Sequence, residues 1–138
     1  MKQVLARVYH NRNIDTGALI IRLAIGIIFV SAAWMKMSDM TATVGFFAQM
    51  GFSASQAYLV AWVEMIGGVL LILGLFIKPA SVALAVIMAV VVWGTPGSKY
   101  DVFFGHNYQF ILLVTLIALY FIGAGRFSAL FLRKKGSN

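Results

Sequence analysis

Residues 57–77 read Ala57-Tyr-Leu-Val-Ala-Trp-Val-Glu-Met-Ile-Gly-Gly-Val-Leu-Leu-Ile-Leu-Gly-Leu-Phe-Ile77, and the one charge in this apolar run is Glu64. A transmembrane helix needs about 20 predominantly apolar residues, so the run has the length of a complete span. A carboxylate inside a span costs roughly 2.5 kcal/mol or more, and it usually faces a partner or a polar cavity. The run therefore predicts a transmembrane helix with an informative acidic residue on its inner face.

The composition of the whole chain is that of an integral membrane protein. Hydrophobic residues make up 62% of the 138 positions and charged residues 11%, whereas soluble domains contain about 45–50% apolar and 25% charged residues. We expect one membrane domain over residues 1–138. Its fold class is predicted as all-α, an up-down four-helix bundle, with spans at approximately 17–36, 57–77, 80–94 and 107–123.

The first loop of this bundle, residues 38–56, has helical organisation of its own. Ser38 is a suitable N-cap and Gly51 is a suitable helix end, while Phe46 and Phe47 precede that end on an apolar stretch. The pattern predicts a short interfacial helix on the outer side. Pro79 suits the first turn of the third span, because its missing N–H is not needed there.

Lysine and arginine are distributed unequally between the two ends of the predicted bundle. Because cytoplasmic loops are enriched in basic residues, both termini and the basic tail, residues 126–138, are predicted on the cytoplasmic side of a bacterial inner membrane. Anionic lipid then accounts for the net charge of +7 without any nucleic acid. One end holds Lys2, Arg7, Arg12, Lys78, Arg126, Arg133, Lys134 and Lys135, and the other holds Lys36 and Lys99.

A cleaved signal peptide is the alternative interpretation of the N-terminal region. Residues 1–13 are basic, an apolar run follows, and residues 31–33 resemble a cleavage site. Arg22 inside the run, and a length beyond the usual 7–15 residues, favour a retained first span.

The chain is poor in residues that hold redox cofactors. Cysteine is absent, which excludes thiolate metal sites and covalent haem attachment by this chain. The two histidines, His10 and His106, are predicted on opposite sides of the bilayer. No metal site and no covalently held cofactor is therefore expected.

Small and charged residues recur at helical spacing on the first two spans. Arg22, Gly26 and Lys36 share one face of the first span, and Glu64 and Gly68 share one face of the second. Small residues let membrane helices approach closely. The residues predicted to pack helices are Gly26, Gly67, Gly68, Gly74 and Gly123.

Glu64 has two candidate partners, Arg22 and Lys36, and two interpretations remain open. In the first, a buried ion pair only sets the register of the helices. In the second, the charges belong to a polar binding pocket that opens to the outer side and is lined by Arg22, Lys36, Glu64, Gln109 and His106. His106 would hydrogen-bond a quinone or carry protons there, although an interfacial histidine is more often simply solvated.

Three tryptophans, Trp34, Trp62 and Trp93, fall toward the outer halves of their spans. An aromatic belt at the membrane interface is the commoner arrangement. The alternative is an aromatic wall of the predicted pocket.

Six short segments carry a similarity to a known family. In their order and spacing they resemble the DoxX family of small bacterial inner-membrane proteins, from about residue 15 to residue 130. The segments are residues 20–26 (IIRLAIG), 32–37 (AAWMKM), 44–51 (VGFFAQMG), 63–68 (VEMIGG), 74–79 (GLFIKP) and 122–128 (IGAGRFS).

The resemblance implies a fold similar to the small subunit of thiosulfate:quinone oxidoreductase and an association with membrane redox and oxidative-stress complexes. We expect either a non-catalytic or quinone-interacting subunit of such a complex, or an anchor, assembly or transport partner without chemistry of its own. In the first case Lys36 and Gln109 donate to the quinone oxygens and Glu64 relays protons. The expected partners are the lipid bilayer and either another protein or further copies of this chain.

Overall fold

The computed structural model describes residues 2–94 and 107–123, with side chains from 14 to 94 and from 108 to 123. Every regular element in these ranges is helical, so the predicted all-α fold class is confirmed. The predicted third loop with His106, and the basic tail 126–138, lie outside the described residues. The helices are α1 (Lys2–Ser38), α2 (Met40–Gln49), α3 (Ala54–Leu73), α4 (Ile77–Gly94) and α5 (Asn107–Ile122).

The four long helices pack in a ring, in which α1 contacts α3, α3 contacts α4, α4 contacts α5, and α5 returns to α1. Gly26 of α1 lies against Gly68 of α3. Arg22, one turn earlier in α1, lies against Gly74, beyond the end of α3, so these two helices are antiparallel. The ammonium group of Lys78, at the start of α4, lies 5.7 Å from the ring centre of Tyr120, near the end of α5, so these helices are antiparallel too.

The bundle therefore has two distinct ends. The α2 end carries Lys36, the short helix α2 and the beginning of α5. The Arg22 end carries Arg22, the α3–α4 turn and Gly123. The structure places residues 14 and 123 at the same end, as up-down packing of four helices requires.

Within residues 2–94 and 107–123, three helical segments are long and apolar enough to cross a membrane: Ile14–Ser38, Ala54–Leu73 and Ile77–Gly94. The apolar segment of α5, Tyr108–Ile122, is shorter. At 1.5 Å per residue it extends about 22 Å, against a hydrocarbon core of about 30 Å. Apolar composition and helix length together make this chain a helical membrane bundle.

The turn between α3 and α4 differs from the sequence-based span boundaries. The predicted second span runs to residue 77, but α3 ends at Leu73 because Gly74 adopts the left-handed conformation, with φ of 72°. Phe76 also has positive φ, 47°, which is rare for an aromatic residue. Ile77 therefore begins α4, and Pro79 lies in the first turn of that helix.

The short helix α2 begins one residue later than expected. Its N-cap is Asp39, whose side-chain Oδ1 accepts a 2.9 Å hydrogen bond from the backbone N–H of Ala42. Ser38 instead belongs to α1, where its hydroxyl donates to the carbonyl of Trp34. A carboxylate suits the positive end of a helix dipole, which explains the shift. Gly51 follows the C-cap with φ of 83°, the conformation that ends the helix.

Candidate functional site

The central feature of the bundle interior is an ion pair between α1 and α3. Lys36 Nζ donates to Glu64 Oε2 at 2.5 Å, and the side chains are 26% and 2% exposed, respectively. Lys36 lies in the last turn of α1, where a cation is favoured by the helix dipole. Of the two cations considered, Lys36 is therefore the partner of the buried carboxylate.

This pair forms part of the wall of a cavity of about 210 Å³ at the α2 end, which we call the ion-pair cavity. An engineered protein cavity of about 150 Å³ binds benzene, so this space is large enough for an aromatic ring system larger than benzene. All five helices contribute to its lining, which comprises Ile28, Phe29, Ala32, Lys36, Phe46, Phe47, Val60, Glu64, Met88, Val91, Tyr108, Gln109 and Leu112.

The polar groups of the ion-pair cavity converge from three helices. Lys36 comes from α1, Glu64 from α3, and Gln109 with its neighbour Tyr108 from the first turns of α5. The remaining lining is aliphatic, aromatic or methionine. A few convergent polar groups in a mainly apolar cavity are typical of small-molecule sites. Within 14–94 and 108–123, no group of three His, Asp or Glu residues is placed to hold a metal ion.

The structure does not bring Arg22 into this cavity, which corrects the predicted pocket. A Cβ atom at Gly74 would lie 2.7 Å from Arg22 Nη1, so the guanidinium rests directly on the C-cap of α3. Gly74 lies ten residues after Glu64, which is about 15 Å along the axis of α3 at 1.5 Å per residue. Arg22 is fully buried, and its charge complements the negative end of the α3 dipole. It is therefore placed to stabilise the end of α3.

The structure does not place the three tryptophans, the alternative aromatic wall, in the lining of this cavity. Trp34, Trp62 and Trp93 are 68%, 58% and 68% exposed, and none of them lines the ion-pair cavity. Their outward positions are those that an aromatic belt requires.

The aromatic walls of the ion-pair cavity come from phenylalanines and a tyrosine that were not among the residues predicted to line a pocket. Phe29 lies on α1 two turns before Lys36, on the same face, and that heptad spacing is the signal that points to it. Phe46 and Phe47 come from α2, and Tyr108 from α5. Helical spacing within α1 cannot identify residues contributed by other helices.

The predicted packing glycines occupy four different environments. Gly26 and Gly68 meet at the crossing of α1 and α3, and Gly67 faces the side chain of Leu84, with 2.9 Å between an added Cβ and Leu84 Cγ. Gly74 lies against the guanidinium of Arg22, as described above. Gly123 does not pack against another helix: a Cβ there would meet nothing within 4 Å among the described residues, and φ of 78° makes it the end of α5.

Comparison with known proteins assigns the chain to a family. The DoxX family model matches residues 17–96. Over 134 residues, 93% of this chain and 97% of the other, the sequence is 34% identical to a protein of Bacillus subtilis (strain 168) named "Putative oxidoreductase CatD". No solved structure shows a significant match. Because the family model covers more than half of the chain and agrees with the helical membrane fold, this protein belongs to the DoxX family.

Proposed function

We propose that this chain is the membrane subunit of a redox complex and binds the ring of a quinone in the ion-pair cavity. The observation that carries the proposal is the Lys36–Glu64 pair in the wall of an otherwise apolar and aromatic cavity. A quinone ring is flat and apolar, with a carbonyl oxygen at each of two opposite edges. It therefore needs flat walls and hydrogen-bond donors.

The side chains around the cavity supply both requirements. Phe29 and Phe47 offer aromatic surfaces, while the ammonium group of Lys36 and the amide of Gln109 are donors. Reduction of a quinone to a quinol takes up two electrons and two protons. Glu64 relays those protons one at a time from water at the outer face to the quinone oxygens, which Lys36 and Gln109 hold by hydrogen bonds, and a protein partner supplies the electrons. The similarity to a protein that carries oxidoreductase in its name supports this reading.

The membrane placement that accompanies this function is a bacterial inner membrane with both termini in the cytoplasm. Basic residues concentrate at the Arg22 end of the described bundle, which supports a cytoplasmic location for that end. Lys78 lies in the first turn of α4 at this end, and the first span is preceded in sequence by Lys2, Arg7 and Arg12. The ion-pair cavity then lies toward the outer face, where a quinone reaches it from the lipid.

A second candidate function is a membrane anchor, assembly or transport partner without chemistry. The direct contact between Lys36 and Glu64 favours it, because the buried carboxylate is already neutralised within the chain. Such pairs serve to set helix register in some proteins. The two functions differ in whether the cavity binds a ring.

Quinone binding by the chain in lipid nanodiscs distinguishes them. The probe is 2-methyl-1,4-naphthoquinone, measured by equilibrium dialysis against empty nanodiscs to subtract partitioning into lipid. The double variant Lys36→Met with Glu64→Gln removes the pair without leaving a buried charge uncompensated. Lys78→Met is the matched control, since Lys78 contacts Tyr120 at the other end of the bundle.

We expect saturable binding by the wild type and by Lys78→Met, and at least about tenfold weaker binding by the double variant, which corresponds to 1.4 kcal/mol. A folded wild-type chain with no saturable binding would exclude the quinone function and favour the anchor.

A further inference from the structure

A second cavity of about 210 Å³ lies between α3 and α4, beneath the end of α2. We call it the lateral groove. Its lining is almost entirely hydrocarbon and includes Phe52, Leu59, Val86, Ile87 and Val90. Leu59, Val86 and Val90 are exposed on the outer surface of the bundle, so the groove opens sideways, toward the acyl chains of the bilayer.

The lateral groove and the ion-pair cavity share part of their walls. Phe47, Val60 and Val91 line both spaces. Phe47 is buried, and its ring contacts Phe46 on the side of the ion-pair cavity and Phe52 on the side of the groove. The two spaces are therefore neighbours that share side chains from α2, α3 and α4 in their walls.

The described lining of the groove offers little polar surface to recognise a ligand head. Among the described residues of its lining Gln56 is the one polar side chain, and its Oε1 already accepts a 2.8 Å hydrogen bond from the backbone N–H of Ser53 in the capping box of α3. A flexible hydrocarbon chain is the occupant that such a lining suits. The hydrogen-bond donors that a polar head needs lie in the neighbouring ion-pair cavity, at Lys36 and Gln109.

We infer that the lateral groove holds the first isoprenoid units of the prenyl tail of the quinone whose ring occupies the ion-pair cavity. This inference rests on the proposed function. It assigns an amphiphilic ligand, with a polar ring at the Lys36–Glu64 pair and a hydrocarbon tail that leaves the bundle between α3 and α4. Because lipid is itself apolar, the hydrophobic effect does not favour moving the tail from the lipid into the groove. The groove therefore selects the tail by shape, and filling the groove is the way to test it.

The test compares two quinones and two variants in nanodiscs. The quinones are tail-less 2-methyl-1,4-naphthoquinone and its prenylated form with a photoreactive diazirine in the first isoprenoid unit. Val86→Trp fills the groove. Val82→Trp is the matched control, because Val82 is an exposed valine one turn away on α4 that lines a different cavity, with Leu116 and Ile117 of α5.

We expect light-induced labelling of residues 56–60 and 86–91 in the wild type and in Val82→Trp. Val86→Trp should bind the prenylated quinone about tenfold more weakly, because the indole ring occupies the space of the tail, with binding of the tail-less quinone within about twofold.

The outcomes separate the two proposals. If the tail-less quinone binds but Val86→Trp and Val82→Trp affect the prenylated quinone equally, the groove assignment is wrong while ring binding stands. Labelling spread over the whole lipid-facing surface also overturns the groove assignment. Labelling that is lost when phospholipid competes for the groove overturns it as well. If neither quinone binds, both proposals fail together.

Discussion

Gly26 of α1 and Gly68 of α3 pack backbone to backbone. A Cβ atom on Gly26 would lie 2.8 Å from the carbonyl oxygen of Gly68, and one on Gly68 would lie 2.9 Å from the carbonyl oxygen of Gly26. This close approach brings the two helices together at a point between the α2 end and the Arg22 end. It positions Lys36 beside Glu64 at one end and Arg22 beside Gly74 at the other.

The first prediction concerns this crossing. Gly68→Ala should lower the thermal stability of the purified protein in detergent by an amount equivalent to about 1–3 kcal/mol, because the added methyl group meets backbone that cannot move aside. Gly17→Ala is the control on α1, since a Cβ there meets nothing within 4 Å of the described structure. It should be neutral or slightly stabilising, since alanine is the better helix former. Equal effects of the two substitutions would contradict the proposed packing role.

The second prediction concerns the charge pair. Lys36→Ala should destabilise the protein by about 3–5 kcal/mol, because it leaves the buried carboxylate of Glu64 without its cation. Glu64→Gln should be tolerated better, since the amide keeps the shape and still accepts a hydrogen bond from Lys36. Thermal unfolding of the single and double variants measures the coupling between the two residues. Additive effects would show that the contact has no energetic consequence.

The same variant separates a structural role of Glu64 from a catalytic one. If Glu64 relays protons, Glu64→Gln should assemble normally in the membrane and abolish quinone-linked activity of the native complex. Normal assembly together with normal activity would exclude the relay.

The third prediction concerns the end of α3. Gly74→Ala should be more destabilising than Gly51→Ala, although both glycines have positive φ, 72° and 83°. The left-handed conformation costs alanine about 1–2 kcal/mol at either site. Only at Gly74 does the new methyl group also displace the guanidinium of Arg22. Thermal unfolding of the two variants gives the difference, and a smaller effect at Gly74 would argue against the Arg22 contact.

The fourth prediction concerns topology. Reporter fusions after Gly97 and after Asn138 should report opposite sides of the membrane, with the second in the cytoplasm, because basic residues concentrate on the side assigned to the termini. A fusion in the turn between α3 and α4, after Leu75, should agree with the one after Asn138. Fusions at 97 and 138 that report the same compartment would contradict a bundle of four spans.

Composition and local spacing were sufficient to predict a helical membrane bundle, a short helix between the first two long ones, and a buried Glu64 that needs a partner. Each of these depends on free energies that act within one helix or between a helix and lipid. The end of α3 was missed by four residues, because Gly74 is apolar enough to continue the span. Its left-handed conformation is a property of the turn.

The choice between Arg22 and Lys36 was decided by tertiary structure alone. Both residues lie on one face of α1. Helical periodicity identifies that face, but it does not give the position along the helix axis at which a neighbouring helix crosses. The Gly26–Gly68 contact sets that position. The same crossing and the docking of α2 bring Phe29 and Phe47 around Lys36 and Glu64 and leave the three tryptophans outside. The sequence by itself determined that a charge would be buried in this membrane protein, and packing determined its partner and the cavity beside it.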